Sequence, residues 1–117
     1  MHNFKELLVW QKSMDLVELV YKLIDCFPKD EKYGLVSQVQ RCAVSIPSNI
    51  AEGSGRASKK EFQHFLSIAI GSSFELETQL ILAFKFNYIA ESQLNEFEKL
   101  VSEIQKMIHG LYKSLNN

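Results

Sequence analysis

Trp10, Met14, Val17, Tyr21 and Ile24 recur at alternating steps of four and three, and a second line, Leu16, Val20, Leu23 and Phe27, runs beside them. That spacing places the apolar side chains on one broad face of an amphipathic helix over 8–26, with Trp10 packed against neighbouring helices. Phe27-Pro28 ends it, because the residue before a proline is driven out of the helical region. Val36, Val39, Ala43, Ile46 and Ile50 predict a second helix over 31–53. Its other edge presents Gln38, Arg41, Ser45, Asn49 and Glu52, either as a solvated face or as a polar contact line to a partner. Ser58-Lys59-Lys60-Glu61 has the spacing of a capping box, with Ser58 as the cap and Glu61 reaching back. The helix it opens, over 58–87, turns Phe62, Leu66, Ala69, Ser73, Leu76, Leu80 and Ala83 inward. The clearest pattern is the fourth, over 91–115: Leu94, Phe97, Val101, Ile104, Ile108, Leu111 and Leu115.

Pro47 falls inside the second helix. Having no N–H, it leaves the Ala43 carbonyl without its helical partner, so a bend or loosening is expected there, at about 3 kcal/mol in an isolated helix. Gly53 and Gly55 are then expected to end the helix, since glycine accepts the left-handed backbone of a C-terminal cap.

Short connections make sequential helices antiparallel neighbours. The expectation is therefore an all-α, antiparallel up-down-up-down four-helix bundle in a single domain, 1–117. Helix three carries a further apolar set, Ile70, Phe74, Ile81 and Phe84, rotated away from the inward series. This is more apolar surface than its neighbours in a monomer would cover, and it predicts a homo-oligomer with these four residues at the interface.

Charge changes the picture only locally. The formal net charge is −1, so any attraction to nucleic acid must come from a patch. One exists: Arg56, Lys59 and Lys60, with Arg41 a few turns earlier along helix two. Lysines at a helix N-terminus add positive charge where the dipole is already positive, which suits a phosphate. Surface lysines that serve solubility are the alternative. Cys26 and Cys42 lack C-x-x-C spacing and read as reduced thiols of a cytoplasmic protein. The N-terminus lacks the layout of a signal peptide, and the apolar region 65–86 is broken by Ser72, Ser73, Glu75, Glu77, Thr78 and Gln79, so no membrane span is expected.

Little points to catalysis. Glu61-Phe62-Gln63-His64 is an E-x-x-H, but a carboxylate-bridged di-iron site needs a second copy, and Lys106 stands three residues before His109. His64 and His109 have no predictable nucleophilic partner, and Gly53-Ser54-Gly55 is a turn between helices. No enzyme activity, metal, cofactor or small-molecule substrate is expected.

Several blocks in order carry a resemblance: Val9-Trp10-Gln11-Lys12, Phe27-Pro28, Glu31-Lys32-Tyr33-Gly34-Leu35, Ser45-Ile46-Pro47-Ser48-Asn49-Ile50-Ala51-Glu52-Gly53, Ser58-Lys59-Lys60-Glu61-Phe62, and Glu75-Leu76-Glu77-Thr78-Gln79-Leu80. Together they resemble the bacterial four-helix-bundle family of proteins encoded in intervening sequences of 23S ribosomal RNA. The resemblance implies an antiparallel bundle assembled as a ring-like homopentamer. It also implies kinship with the accessory variability determinant of diversity-generating retroelements, whose relatives bind nucleic acid through a basic surface and associate with a reverse transcriptase. Where this chain has Gln40-Arg41 and Arg56-Ala57, family members often carry paired basic residues, so fewer phosphate contacts are available here. Two readings follow. The first is an accessory homo-oligomer that binds RNA or a ribonucleoprotein through Arg41, Arg56, Lys59 and Lys60. The second is a structural or protein-interaction scaffold without nucleic acid. In both, Trp10, Pro47, Asn49, Glu52, Gly53, Ser58 and Glu61 are structural.

Overall fold

The computed structural model describes residues 3–116. Among them, four α-helices form the bundle: α1 (Leu8–Ile24), α2 (Leu35–Ser54), α3 (Lys59–Lys85) and α4 (Glu91–Ser114). The bundle is all-α and measures 46 × 25 × 20 Å. Each helix packs on its sequence neighbours and α4 closes onto α1, with no close backbone approach across the diagonal among the described residues, so the helices stand at the corners of a square in up-down-up-down order.

The inward stripes of three helices are the ones their periodicity indicates. Val39, Ala43, Ile46 and Ile50 of α2 are buried, as is the whole series Phe62 to Ala83 of α3 and Phe97, Val101, Ile104, Ile108 and Leu115 at and after α4, while Val36, Leu94 and Leu111 are half-buried against the core. In α1 the two lines differ in rank. Leu16, Val20, Leu23 and Phe27 are buried, whereas Met14 and Tyr21 of the first line are each 43% exposed. Trp10 and Val17 are half-buried, packed along the edge of the core. A helix with only two neighbours covers one wide stripe, and the Trp10 line falls on its rim.

α2 continues through Pro47 without a break, and Pro47 is itself buried. The surrounding turns are tied by side chains. Asn49 Nδ2 donates to the Ser45 carbonyl at 2.8 Å and lies 2.9 Å from Ser45 Oγ. Ser45 Oγ in turn lies 2.9 Å from Ser72 Oγ of α3. The middle of helix two's polar edge is thus half-buried and tied by hydrogen bonds within the chain.

The expected left-handed glycine caps are absent among the described residues. Gly53 lies inside α2, Gly55 is its C-cap at φ −85°, and no glycine has positive φ. Gly53 serves a different purpose. A Cβ there would stand 2.7 Å from Phe65 Cβ and 3.3 Å from the Phe62 carbonyl, so glycine is what lets α3 cross α2 so closely. The left-handed position belongs to Asn87, at φ 65°, where α3 ends with Tyr88 N–H donating to the Ala83 carbonyl at 2.9 Å.

Helix ends move by a few residues. α1 stops at Ile24 and a 3-10 turn, Lys29–Glu31, precedes α2, which starts at Leu35 rather than near 31. Glu31 explains the later start, since its Oε1 accepts the Leu35 N–H at 3.2 Å.

Gly53→Ala should destabilise the fold by about 1–3 kcal/mol in urea denaturation, because the methyl meets backbone as well as ring. Gly110→Ala, with nothing within 4 Å of the added carbon, should stabilise by roughly 0.5–1 kcal/mol. Equal stabilisation by both would refute the close crossing.

Candidate functional site

The basic end of the bundle is built around the α2–α3 turn. Arg56 Nη2 pairs with Glu52 Oε2 at 2.8 Å, one helical turn back, while its guanidinium lies 4.7 Å from the Phe65 ring centre. Ser58 Oγ accepts the Glu61 N–H at 3.1 Å and lies 3.2 Å from Glu61 Oε1, which fixes the start of α3. Lys59 and Lys60 follow in its first turn, both exposed. Gln63 ties this end to α4, with its Nε2 donating to the Tyr112 carbonyl at 3.0 Å and to Asn116 Oδ1 at 2.6 Å.

Charge divides along the bundle. The half holding this turn carries Lys5, Lys12, Arg56, Lys59, Lys60, Lys106 and Lys113 against Glu6, Asp15, Glu52, Glu61 and Glu103. The opposite half reverses the balance, with Glu18, Asp25, Asp30, Glu31, Glu75, Glu77, Glu91, Glu96 and Glu98 against Lys22, Lys29, Lys32, Arg41, Lys85 and Lys99. Net charge near zero therefore hides a dipolar molecule.

Arg56, Lys59 and Lys60 come together, but Arg41 does not join them. It stands in the other half of α2, about 22 Å along the axis from Arg56 at 1.5 Å per residue. There it lines an open groove between α2 and α3 with Gln38, Cys42, Ser45, Ser72 and Glu75. Burial, with Glu75 as a second cause, pushes the Cys42 thiol up to about 11, so it stays protonated and inert at neutral pH. Gln79, 6% exposed, lies behind with its Oε1 unpartnered.

Between α3 and α4 lies a pair of carboxyls. Glu98 is pushed up to about 7, first by burial and then by Glu77 beside it, and Glu98 Oε1 is buried without a partner. Gln105 Nε2 donates to Glu77 Oε1 at 3.0 Å. Phe74 and Ile81 flank Glu77 on the same strip of α3, 53% and 36% exposed, while Ile70 and Phe84 are half-buried against the core. The proposed interface set is therefore two exposed anchors and two core-edge residues.

At the acidic end, Tyr88 O–H donates to Glu31 Oε2 at 2.7 Å. That bond holds Glu31 below the usual carboxylate range and Tyr88 above its ordinary value. Sequence reasoning missed both this clasp and the Glu77–Glu98 pair. The second had a signal, since Glu77 fills the vacant step in the line Ile70, Phe74, Ile81, Phe84. The first joins residues 57 apart in the chain and had none.

Glu61 of the E-x-x-H is engaged at the cap, and His64 lies edge-on to Phe65 at 5.5 Å. Among the described residues, no three His, Cys, Asp or Glu side chains converge to hold a metal. Among the described residues, α3 alone has the length and hydropathy of a membrane span, and in the bundle its apolar stripe packs on α2 and α4.

A folded pKa of about 7 means that the native state binds a proton more tightly than the unfolded chain does. Stability should therefore fall as pH rises from about 4.5 to about 7 and level off above. Glu98→Gln should remove that fall in thermal melts taken across pH 4.5–8. An unchanged slope would contradict the assignment.

Residues 5–110 match the family described as 23S rRNA-intervening sequence protein. Among solved structures, the chain is similar to a protein of unknown function from the S23 ribosomal protein family of Bacteroides thetaiotaomicron. The two share 26% identity and a TM-score of 0.82, over 90% of this chain and 95% of that one. No curated protein matches. With nearly its whole length matched, the chain belongs to the family of 23S rRNA-intervening sequence proteins.

Proposed function

We propose that the protein is a non-enzymatic, homo-oligomeric accessory factor of the cytoplasm that binds RNA through its phosphate backbone. The observation that carries this reading is the lengthwise charge division, which gathers Arg56, Lys59 and Lys60 on the α2–α3 turn, away from the acidic half. Phosphate contacts need cations held at a surface and no base-reading groove. The dipole at the start of α3 acts with the lysines rather than against them. The family's description, which ties its members to intervening sequences of 23S rRNA, agrees with an RNA partner.

One copy offers few contacts, and self-association multiplies them. Phe74 and Ile81 supply exposed apolar anchors for it, and a pentamer would present five basic ends together. Exposed anchors favour a second reading as well, a protein-interaction scaffold that needs no nucleic acid.

A salt titration of binding to a structured RNA hairpin separates the two readings. Each phosphate contact contributes about −0.9 to the slope of log affinity against log salt on B-DNA, so Lys59, Lys60 and an Arg56 released from Glu52 predict a slope of up to roughly −2.7 per engaged copy. Lys59→Glu with Lys60→Glu should flatten that slope and abolish binding near physiological salt. Absence of binding at low salt would remove the RNA reading and leave the scaffold.

A further inference from the structure

Two opposite sides of the bundle carry apolar side chains that the chain itself leaves uncovered. Since, among the four helices, α1 and α3 each approach only α2 and α4 closely, the α1–α2 face lies across the molecule from the α3–α4 face. On the α3–α4 face the line Ile70, Phe74, Glu77, Ile81, Phe84 advances in alternating steps of four and three, the spacing of a seam made to receive another helix. Glu77 occupies its centre with Glu98 beside it, and no cation acts on Glu98. The elevated pKa of Glu98 is how an acid pair without its counter-ion behaves.

The α1–α2 face has the complementary make-up. Met14, Val17 and Val44 line a groove of about 360 Å³, one end of which is closed by Phe4, edge-on to Trp10 at 5.1 Å. Arg41 continues this face beside Tyr21 and Val44, exposed and with no ion pair among the described residues, Glu75 across the neighbouring groove included.

Height along the bundle decides what the two faces can do together. Ser45 meets Ser72, and Cys42 meets Glu75, so Arg41 stands within a turn of the level of Glu77, and Val44 within a turn of Phe74. Unlike faces on opposite sides, matched in height, stack side by side without climbing. Such a heterologous contact joins copies head to tail in one plane, and it closes into a ring where each copy also turns against the last.

We propose that the α1–α2 face of one copy seats on the α3–α4 face of the next, with Arg41 of the first paired to the Glu77–Glu98 carboxyls of the second. This deepens the oligomeric reading above and rests on it. It gives Arg41 a place in assembly, apart from the RNA-binding end, and gives the half-buried acid pair a counter-ion.

Light scattering on a sizing column tests it, with circular dichroism confirming that each variant stays helical. The unmodified protein should run as a multiple of 13.5 kDa. Arg41→Glu and Glu98→Lys should each weaken assembly by about tenfold or more, and the double variant, with the charges exchanged, should recover it. Single variants that assemble like the parent, or a double variant no better than the singles, overturn this docking and leave self-association standing. A parent of single-chain mass overturns both. Arg41→Lys gives a route that does not depend on a folded Glu98 variant, because carbodiimide joins an ammonium to a carboxylate in contact. An interchain amide between position 41 and position 77 or 98 is the expected product, and a cross-linked oligomer without it refutes the pairing.

Discussion

Everything in this molecule hangs on how closely α3 can lie against α2. The hydrogen atom that serves Gly53 as a side chain is what permits it, since any larger group would meet the Phe65 Cβ and the Phe62 backbone. From that crossing the two helices run antiparallel in one register, held by the Ser45–Ser72 hydroxyl pair and by Cys42 against Glu75. Asn49 braces the same stretch from within α2, bonding back across Pro47 to Ser45. Buried Ala43, Ile46, Ala69, Leu76 and Leu80 then fill the interior that this register defines.

The register has consequences at both ends and on both sides. It places Arg56 on the turn that begins α3, where Glu52 and Phe65 hold it beside Lys59 and Lys60. It carries Arg41 to the level of Glu77 and Glu98, on the far side of the bundle. One helix pair thus separates two positive sites that the sequence shows only as a loose series. One serves the RNA proposal and the other the proposed contact between copies.

The helices were legible because burial imposes a 3.6-residue period, and α2, α3 and α4 each bury one dominant stripe. In α1 two stripes of equal hydrophobicity lay side by side, and only the positions of α2 and α4 determine that Leu16 goes inside and Met14 to the rim. Glycine was misread for a related reason. Its identity tells that a side chain is excluded, but whether by a dihedral or by a neighbouring helix is a tertiary fact. The candidate site divides in the same way: Arg56, Lys59 and Lys60 are local in sequence and were visible, while the Glu77–Glu98 pair and the Tyr88–Glu31 clasp come from separate elements.

The α2–α3 register is open to direct chemical measurement. Cysteines at positions 45 and 72, with Cys26 and Cys42 changed to serine, stand where two hydroxyl oxygens lie 2.9 Å apart. Mild oxidation should join them within one chain, seen as a 2 Da loss in the intact mass with no free thiol left to titrate. Two thiols that stay free and reactive in the folded protein would contradict the register, and with it the placement of every site described above.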